Sequence, residues 1–320
     1  MFKNNNNFTQ NPKGNVFVQN QKKKQKTMKF KIFIAALVFL TFYGFQSVSA
    51  QPGRDTSWTR GGLIGINLSQ ISLSNWAAGG DNAVGFNLNF NYKLDFKRNR
   101  HLWQNRLEMA YGLNKTKSEG TKKTNDNLYL SSIYGYQLKK ALYLSGLMTF
   151  QTQFAKGYDY NVDPDVFISR FMAPGYLMVG AGLTWKPKKW FTATLSPATW
   201  RGTFVSSKIL SDQGDFGVDP GKHLLSEFGA NLRMEANYEF LKNMTVYSRL
   251  DLYSNYLEKP QNVDVNWIVQ LNMKINQWFS ANIGTNMIYD DDIKIAQKDG
   301  TKGPRLQFKE TLTIGFQVNF

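Results

Sequence analysis

AVGFNLNFNYKLDF, residues Ala83–Phe96, alternates between apolar and polar side chains over its whole length. The apolar positions are Val84, Phe86, Leu88, Phe90, Tyr92, Leu94 and Phe96, with Gly, Asn, Lys and Asp between them. This period of two predicts a β-strand with one apolar and one polar face. The stretch exceeds the ~5–6 residues of an ordinary globular strand and covers the ~9–11 that a tilted membrane-crossing strand needs.

The same alternation returns at 228–240 and at 263–275, and no helical period of useful length follows Ala50. A soluble sandwich could carry such strands with their apolar faces inside. Strand length and an aromatic content of 15% favour a membrane barrel, because aromatic side chains concentrate at the two membrane interfaces. Candidates for the two belts are Trp103, Trp190, Phe191, Trp278 and Phe279 at one end and Tyr111, Phe154, Tyr256 and Tyr289 at the other.

Short turns and long polar connections alternate strictly along the chain. The short ones fall near 97–100, 139–141, 187–189, 241–243 and 276–278, and the long ones near 72–82, 114–125, 156–173, 206–222, 257–262 and 290–304. Together they join twelve strands. An even number of strands places both ends of the barrel on the periplasmic side, with short turns there and long loops outside.

We therefore predict an all-β fold, a transmembrane antiparallel up-and-down β-barrel of about twelve strands. The hydrocarbon core offers backbone groups no partner, so the sheet has to close on itself. Pro197 cannot donate a ladder hydrogen bond, so we expect a bulge there, or else a count of ten or fourteen strands. The predicted strands run near 61–71, 83–96, 101–113, 126–138, 142–155, 174–186, 190–200, 223–240, 243–256, 263–275, 279–289 and 305–320.

The last predicted strand alternates up to the C-terminal aromatic residue Phe320. Such an ending resembles the signal by which the barrel-assembly machinery selects its clients, and Phe316, Val318 and Phe320 would carry it. Glu310 falls on the lipid-facing side in this register. Because a carboxylate in lipid is costly, we expect a bulge or a register change near Lys309.

Residues 1–50 predict an N-terminal extension and a cleaved signal peptide. A lysine-rich stretch precedes an apolar run at 32–45, and Val48-Ser49-Ala50 offers small residues for cleavage. The run is too short for a comfortable membrane span, and an anchored N-terminus is the alternative. Residues 51–60 would then form a short periplasmic segment, and residues 61–320 the outer-membrane barrel.

The formal charge of +16 at first indicates a nucleic-acid binder. Residues 1–50 hold eight lysines and no acidic residue, however, and the rest of the chain carries only +8. No basic stripe or aromatic platform of the kind that nucleic-acid binding needs is visible, so we expect no nucleic-acid partner. The chain has no cysteine, which excludes disulfides and thiolate chemistry.

Four stretches of the chain resemble an uncharacterised Gram-negative, Bacteroidota-type outer-membrane β-barrel family that is catalogued as a domain of unknown function. They are Asn75–Gly80 (NWAAGG), Gln151–Phe154 (QTQF), Ser169–Pro174 (SRFMAP) and Tyr289–Asp292 (YDDD). The resemblance would extend over nearly the whole mature chain. It implies an outer-membrane location and a barrel fold, and it implies no activity.

Charges of both signs fall on the inward faces of the predicted strands. Eight strands make a barrel that side chains fill, whereas sixteen leave an aqueous pore. Twelve strands therefore leave both a narrow channel and a filled lumen open. The predicted lumen charges are Arg106, Glu108, Arg233, Glu235, Glu239, Arg249, Asp251, Lys274, Arg305 and Lys309.

The long connections hold the other candidate sites. Trp76 with Gly79 and Gly80 could form a Gly-rich fold-in at the barrel mouth, or a structural turn with an interface tryptophan. Consecutive aspartates could offer oxygen ligands to a hard cation such as calcium, but a solvated acidic loop is the simpler interpretation. We expect no metal and no cofactor. The aspartates are Asp290, Asp291 and Asp292. Four lysines of the second long connection could contact lipid A phosphates, or could simply lie in a solvated loop: Lys115, Lys117, Lys122 and Lys123.

We expect an integral outer-membrane barrel that acts as a narrow channel or a binding barrel for small polar solutes of unknown identity. A structural or surface-interaction barrel with a blocked lumen is the alternative. A lipid-modifying enzyme is a third hypothesis, but it needs a serine beside a histidine, and neither His101 nor His223 stands in such a motif. We therefore expect no enzymatic activity. The expected partners are outer-membrane lipids and, during biogenesis, the barrel-assembly machinery.

Overall fold

The computed structural model describes residues 57–71, 83–116, 118–160, 164, 166–291, 294–296 and 302–320. The predicted signal peptide lies outside these ranges and stays a prediction. The first strand begins at Trp58, three residues before the predicted start of the barrel.

Twelve antiparallel strands close into one barrel, which confirms the predicted fold class. They are β1 (Trp58–Ile71), β2 (Ala83–Arg98), β3 (His101–Thr116), β4 (Gly120–Lys139), β5 (Leu142–Thr152), β8 (Gly175–Lys188), β9 (Phe191–Phe204), β10 (Leu224–Leu241), β11 (Met244–Asn255), β12 (Asp264–Lys274), β13 (Phe279–Tyr289) and β16 (Gln307–Asn319). Each strand pairs with its neighbours in sequence, and β1 pairs with β16 to close the wall.

The long connections contain short secondary-structure elements. Two small hairpins lie there, β6 (Gly157–Asp159) with β7 (Val166–Ser169) and β14 (Lys294–Ala296) with β15 (Lys302–Pro304). Among the described residues, no helix has the length and apolar character required to cross a membrane. In the described part of the chain, the helical elements are α1 (Lys208–Asp212) and a 3₁₀ turn (Asp215–Gly217), both between β9 and β10.

The outer wall of the barrel is apolar and the inner wall is polar. Phe86 and Ile314 are 36% and 50% exposed on the outside, and Leu232 and Val269 are half-buried on the same outer face. Arg233, which follows Leu232 along β10, is buried in the interior. A soluble sandwich would bury its apolar faces instead, so the alternation places this barrel in a membrane.

Tryptophans on the outer wall pair with serines of the neighbouring strand. Trp103 donates its indole N–H to the Ser132 hydroxyl at 2.8 Å, and Trp267 donates to Ser248 at 3.0 Å. These bonds satisfy the indole group, which would otherwise lose its hydrogen bond in lipid. Exposed rings lie near both ends of the wall, as predicted for two aromatic belts: Trp58, Trp103, Trp190 and Trp278 at one end, and Phe154 and Tyr256 at the other.

The C-terminal residue helps to close the barrel. Phe320 exchanges backbone hydrogen bonds with Gly62 at 2.7 and 3.0 Å. Its ring lies over Gly62 and 6.3 Å from the rings of Phe90 and Tyr92. A Cβ at Gly62 would lie 2.2 Å from the Phe320 ring, so the ring occupies space that the missing side chain of Gly62 leaves open.

The predicted long connection at 114–125 is mostly strand. β3 and β4 continue as a ladder past a bulge at Gly112–Leu113, and only three residues separate the two strands. This part of the hairpin carries polar residues on both faces, because strands that extend beyond the membrane need no apolar face. A pattern of alternation therefore could not detect it.

The predicted irregularity at Pro197 is a bulge, and the strand count stays at twelve. The register of β9 shifts at this point against both β8 and β10. The bulge brings the carbonyl of Leu195 so close to Gly182 that a Cβ there would lie 1.9 Å from the carbonyl oxygen. Only glycine therefore fits opposite the bulge.

The expectation of a bulge or register change near Lys309 was wrong. The β13–β16 ladder runs unbroken through this region, and Glu310 lies opposite Thr285 on the outer face. A shift by one residue would turn the inward polar residues of β16, Lys309, Thr311 and Thr313, toward lipid. Keeping three polar side chains inside outweighs leaving one carboxylate outside.

The connections after β5 and β9 share a small apolar core. Ala173, Val205, Leu210 and Val218 are almost fully buried in it. The Arg170 guanidinium adds a 2.7 Å hydrogen bond to the carbonyl of Ser206 in the other connection. The long connections on this side of the barrel are therefore packed against each other.

We expect the full chain to fractionate with outer membranes and to migrate faster on a gel before boiling than after it. The closed ladder of hydrogen bonds keeps the barrel compact in detergent until heat opens it. A comparison of unboiled and boiled membrane fractions measures this shift. An unshifted band from a soluble fraction would contradict both the location and the fold.

Replacing Gly182 by alanine should destabilise the barrel by roughly 1–3 kcal/mol, because the added Cβ displaces the backbone of the bulge. Gly146→Ala is the matched control, since a Cβ there would approach no atom closer than 4.0 Å. Urea unfolding of the two refolded variants, followed by tryptophan fluorescence, gives the unfolding midpoint of each. Equal midpoints would show that the bulge moves aside at no cost.

Candidate functional site

The lumen contains a cavity of about 370 Å³ along the wall that β1, β2, β12, β13 and β16 form. Amide side chains dominate its lining, because these strands carry Asn and Gln at inward positions. Amides donate and accept hydrogen bonds without carrying charge. The lining amides are Asn67, Asn87, Asn89, Asn91, Asn125, Asn127, Gln151, Asn266, Gln270, Asn272, Asn282, Asn286 and Gln317.

Three of these amides present unused acceptors. The side-chain oxygens of Asn87, Asn266 and Asn286 are buried and accept no hydrogen bond from any described residue. A buried acceptor without a donor is costly. These oxygens are therefore suited to accept hydrogen bonds from water or from the hydroxyl groups of a solute.

Two buried arginines occupy the centre of the lumen. Arg233 of β10 donates to Asp251 at 2.6 Å, and Arg249 of β11 lies 3.6 Å from the same carboxylate. The ring centre of Tyr129 lies 5.8 Å from the Arg233 guanidinium and 4.2 Å from that of Arg249. The shared carboxylate and the ring face compensate the two cations for the water that they have lost.

Arg249 also reaches across the barrel. It donates to Glu108 of β3 at 3.1 Å, and β3 and β11 lie six strands apart in both directions around the wall. Arg233 of β10 donates in the same way to Ser131 of β4, also at 3.1 Å. These contacts divide the lumen at this level, and Glu108 and Arg249 form one side of the amide-lined cavity.

A second ion-pair cluster lies near the long connections. Arg201 of β9 makes two 2.6 Å hydrogen bonds to Glu227 and another of 2.6 Å to Asp264. Its guanidinium lies 4.0 Å from the ring centre of Tyr253. Arg201 was missed from sequence because β9 was predicted to end at residue 200, and β9 in fact continues to Phe204.

Two lysines make further contacts across the lumen. Lys186 of β8 donates to Gln104 of β3 at 3.2 Å. Lys309 of β16 lies on the cavity wall and donates to the side-chain oxygen of Asn125 at 3.1 Å. Together with the Arg249–Glu108 contact, they link non-adjacent strands of the barrel wall.

The remaining predicted lumen charges are less central. Arg106 pairs with Asp95 at 2.5 Å near the short-turn end. Glu235 is half-buried on the inward face of β10. Three more are exposed at the ends of the barrel and do not contribute to its closed interior: Glu239, Lys274 and Arg305.

Two of the three aspartates of the predicted acidic loop site lie within the described residues. Asp290 and Asp291 follow the end of β13, and Asp291 accepts a 2.5 Å hydrogen bond from the amide of Asn262. Within the described residues, no three acidic or histidine side chains converge on a position that could hold a metal ion. Four predicted loop residues lie outside the described ranges: Trp76, Gly79, Gly80 and Asp292.

The predicted lipid-contacting lysines are partly neutralised. Lys122 pairs with Glu119 at 3.0 Å, and Lys123 pairs with Asp126 at 2.7 Å. Lys117 lies outside the described residues. The hairpin therefore presents less free positive charge than the sequence alone indicated.

Two stretches that carry the family resemblance meet at the ends of the β5–β8 connection. The Thr152 hydroxyl accepts from the Met172 N–H and donates to the Pro174 carbonyl, both at 2.9 Å. The Ser169 hydroxyl donates to Gln153 at 2.8 Å. These residues fasten the ends of a long connection to each other, so the structure gives them a structural role.

The cavity lining could have been found from sequence, because asparagine recurs at alternate positions of the inward faces. Asn87, Asn89 and Asn91 show this in β2, where they separate the apolar residues. Only the charged inward residues were predicted to lie in the lumen. Tyr129 gave no such signal, because its partners come from β10 and β11, which are far from it in sequence.

Residues 68–158 match a family described as "Protein of unknown function (DUF3078)". This match confirms the resemblance to an uncharacterised family over these residues. Its predicted extension over nearly the whole mature chain stays a prediction. No curated protein matches the chain.

The chain is similar to solved outer-membrane structures. One is an outer membrane channel from Pseudomonas putida F1, with 11% identity, a TM-score of 0.38 and coverage of 85% of this chain and 100% of that one. Another is the NanC porin, with 11% identity, a TM-score of 0.36 and coverage of 80% and 98%. A third is the translocator domain of the autotransporter NalP from Neisseria meningitidis, with 10% identity, a TM-score of 0.33 and coverage of 94% and 98%.

At these identities and TM-scores, the likenesses leave the substrate and the activity of this chain open. The closed wall, the apolar outer face and the polar lumen are features of the chain itself. They make it an integral outer-membrane β-barrel. Its residues 68–158 resemble a family of unknown function.

Proposed function

We propose that the barrel admits small polar solutes to the amide-lined cavity and that the Glu108–Arg249 pair is the barrier to their passage. The observation that carries this proposal is the 3.1 Å contact between these residues across the lumen. It borders a cavity with three unused amide acceptors. Neutral amides favour uncharged or weakly charged solutes that carry hydroxyl groups.

The size of the cavity supports a small solute. Its volume of about 370 Å³ lies at the lower end of the ~300–1,000 Å³ that small-molecule sites occupy. A folded peptide or a long polymer would not fit. The expected solute is therefore a compact polar molecule.

The exposure of the carboxylates that bind the central arginines indicates which ion pair opens more easily. The Glu108 side chain is 30% exposed, whereas Asp251, which holds both central arginines, is 17% exposed. A more hydrated carboxylate loses less when its partner moves away. The Glu108–Arg249 contact is therefore the weaker link, and the Asp251 contacts would keep Arg249 in place on the wall.

Replacing Glu108 by glutamine should raise the conductance of the purified barrel in planar bilayers about fivefold. The variant keeps the size of the side chain but loses roughly 1 kcal/mol of charge-assisted hydrogen bonding, which sets this factor. Recording single-channel currents in both proteins at the same salt concentration measures the change.

Lys208→Gln is the matched control, because it breaks an exposed ion pair with Asp212 on α1. We expect its conductance to equal that of the parent protein. If the Glu108 variant conducts no better than the parent protein, and vesicles that contain either protein take up no small sugars, the passage does not exist.

A blocked barrel is the second candidate function, and the number of contacts across the lumen favours it. Arg249, Arg233 and Lys186 each bind a residue of a non-adjacent strand. In that case the barrel would serve as a structural or surface-interaction element. The conductance measurement separates the two functions.

We also propose that the barrel is not an enzyme. His101 contacts the Tyr134 hydroxyl at 2.6 Å, and His223 donates from Nδ1 to the Val205 carbonyl at 2.7 Å. Each ring keeps a second nitrogen, but among the described residues neither histidine forms a hydrogen bond with a serine hydroxyl. The arrangement that activates a serine nucleophile needs such a contact.

The purified barrel should release no fatty acid from phospholipid vesicles, and His223→Ala should behave identically. A titration of released fatty acid over time measures both. Hydrolysis by the parent protein that disappears in the His223 variant would make the barrel a lipid hydrolase.

A further inference from the structure

The strands that close the barrel are paired over only part of their length. β1 and β16 share five registered pairs, from Leu63–Asn319 to Asn67–Gly315. Every other interface in the wall has ten or more. Pairing between β1 and β16 thus stops at Gly315, although both strands continue toward the long connections.

The unpaired stretches are residues 68–71 of β1 and 307–314 of β16. Each still pairs with its other neighbour, β2 or β13. At about 3.3 Å per residue, the open edge of β16 is about 26 Å long. Within the described backbone, the wall therefore has a lateral gap beside the half of the membrane next to the long connections.

Side chains at the gap lack the lateral cover that neighbouring strands provide elsewhere. If the ladder continued, Leu68 would lie opposite Ile314 and diagonal to Leu312. Leu68 and Leu312 are 68% and 69% exposed. Glu310 lies on the outer face of the same edge. Unpaired backbone groups and a carboxylate in contact with hydrocarbon are both costly, so a group that hydrogen-bonds to them would stabilise the gap.

The amide-lined cavity lies directly behind the gap. Its lining includes Asn67 at the last paired position of β1, and Lys309, Thr311 and Thr313 on the unpaired part of β16. A molecule in the membrane could therefore reach the cavity sideways as well as from the barrel mouth.

One positive charge on the cavity wall has no counter-charge. Glu108 pairs with Arg249, and Asp126 pairs with Lys123. Among the described residues, no carboxylate forms an ion pair with Lys309, whose amine bonds only to the neutral amide of Asn125. The cavity is therefore suited to hydroxyl groups together with one negative charge.

We propose that the gap between β1 and β16 is a lateral portal, through which a membrane amphiphile places an anionic, hydroxyl-bearing headgroup in the cavity. Lys309 binds the negative group, the amides bind the hydroxyls, and the acyl chains stay in the bilayer against Leu68 and Leu312. This inference rests on the proposed function in one respect, namely that the cavity is a binding site.

Phosphatidylglycerol is a suitable probe, because its headgroup combines hydroxyls with one negative phosphate. The full chain is reconstituted in phosphatidylcholine vesicles that contain phosphatidylglycerol with a photoreactive group on the glycerol. After illumination, mass spectrometry identifies the labelled residues. We expect label on inward residues of the cavity, such as Asn125 and Asn282.

Closing the portal should abolish this labelling. The chain has no cysteine, so the double variant Ser69→Cys/Thr313→Cys allows a flexible bis-maleimide to bridge the gap where the ladder would continue. The matched control, Leu63→Cys/Asn319→Cys, links the same strands where they are already paired. We expect cavity labelling to fall about tenfold only when the gap is bridged, and to persist in the bridged control.

Lys309→Gln should lower cavity labelling about tenfold, the factor expected for a lost charge-assisted hydrogen bond, whereas Lys309→Arg should retain it. Labelling confined to outward residues, or unchanged by the bridge, would overturn the portal. So would a cross-linked dimer at Thr313→Cys, which would show that a second copy covers the gap.

The same samples separate this inference from the proposed function. If the bridged barrel still conducts when Glu108 is replaced, but the cavity is never labelled, passage from the mouth stands and the portal fails. If the cavity is labelled as expected but no variant conducts, the portal stands and the passage fails.

Discussion

The hydrogen-bonding requirement of the backbone in hydrocarbon governs this structure. A peptide group that faces lipid finds no partner there, so each strand has to pair on both edges, and the sheet has to close. Local features follow from that closure. Gly62 leaves space for the Phe320 ring where the chain ends meet, and Gly182 accepts the bulge that Pro197 introduces into β9. The short β1–β16 ladder is the place where this requirement is least satisfied, so the wall is weakest at the seam that closes it.

The lumen obeys a different constraint, which is the cost of taking charge out of water. A twelve-stranded barrel is narrow enough for an arginine on one wall to reach a carboxylate on the opposite wall, as Arg249 reaches Glu108. Once one such contact forms, the remaining buried cations need partners of their own, and Asp251 and Tyr129 supply them. The result is a lumen with two regions, a charged cluster at the centre and an amide-lined cavity beside it.

This division connects the fold to the function. In the proposed function, the charged cluster restricts passage, whereas the cavity retains unused acceptors such as Asn87 and Asn286. A solute that offers hydroxyl groups satisfies those acceptors without disturbing the ion pairs. Because the cavity borders the incomplete seam, the same acceptors lie within reach of the membrane as well as of the barrel mouth.

The sequence by itself determined the class of fold, a count of about twelve strands and the face of each strand that points to lipid. A period of two is a local property, and strands in a bilayer have to close into a barrel. The sequence also placed Arg106, Glu108, Arg233 and Arg249 on inward faces. It could not say which of them meet, since Glu108 and Arg249 are 141 residues apart and their contact depends on the diameter of the closed barrel. The extent of the β3–β4 hairpin, the apolar core of the outer connections, the cavity and the gap between β1 and β16 were likewise decided only by the tertiary structure, because each arises where strands or connections distant in sequence meet in space.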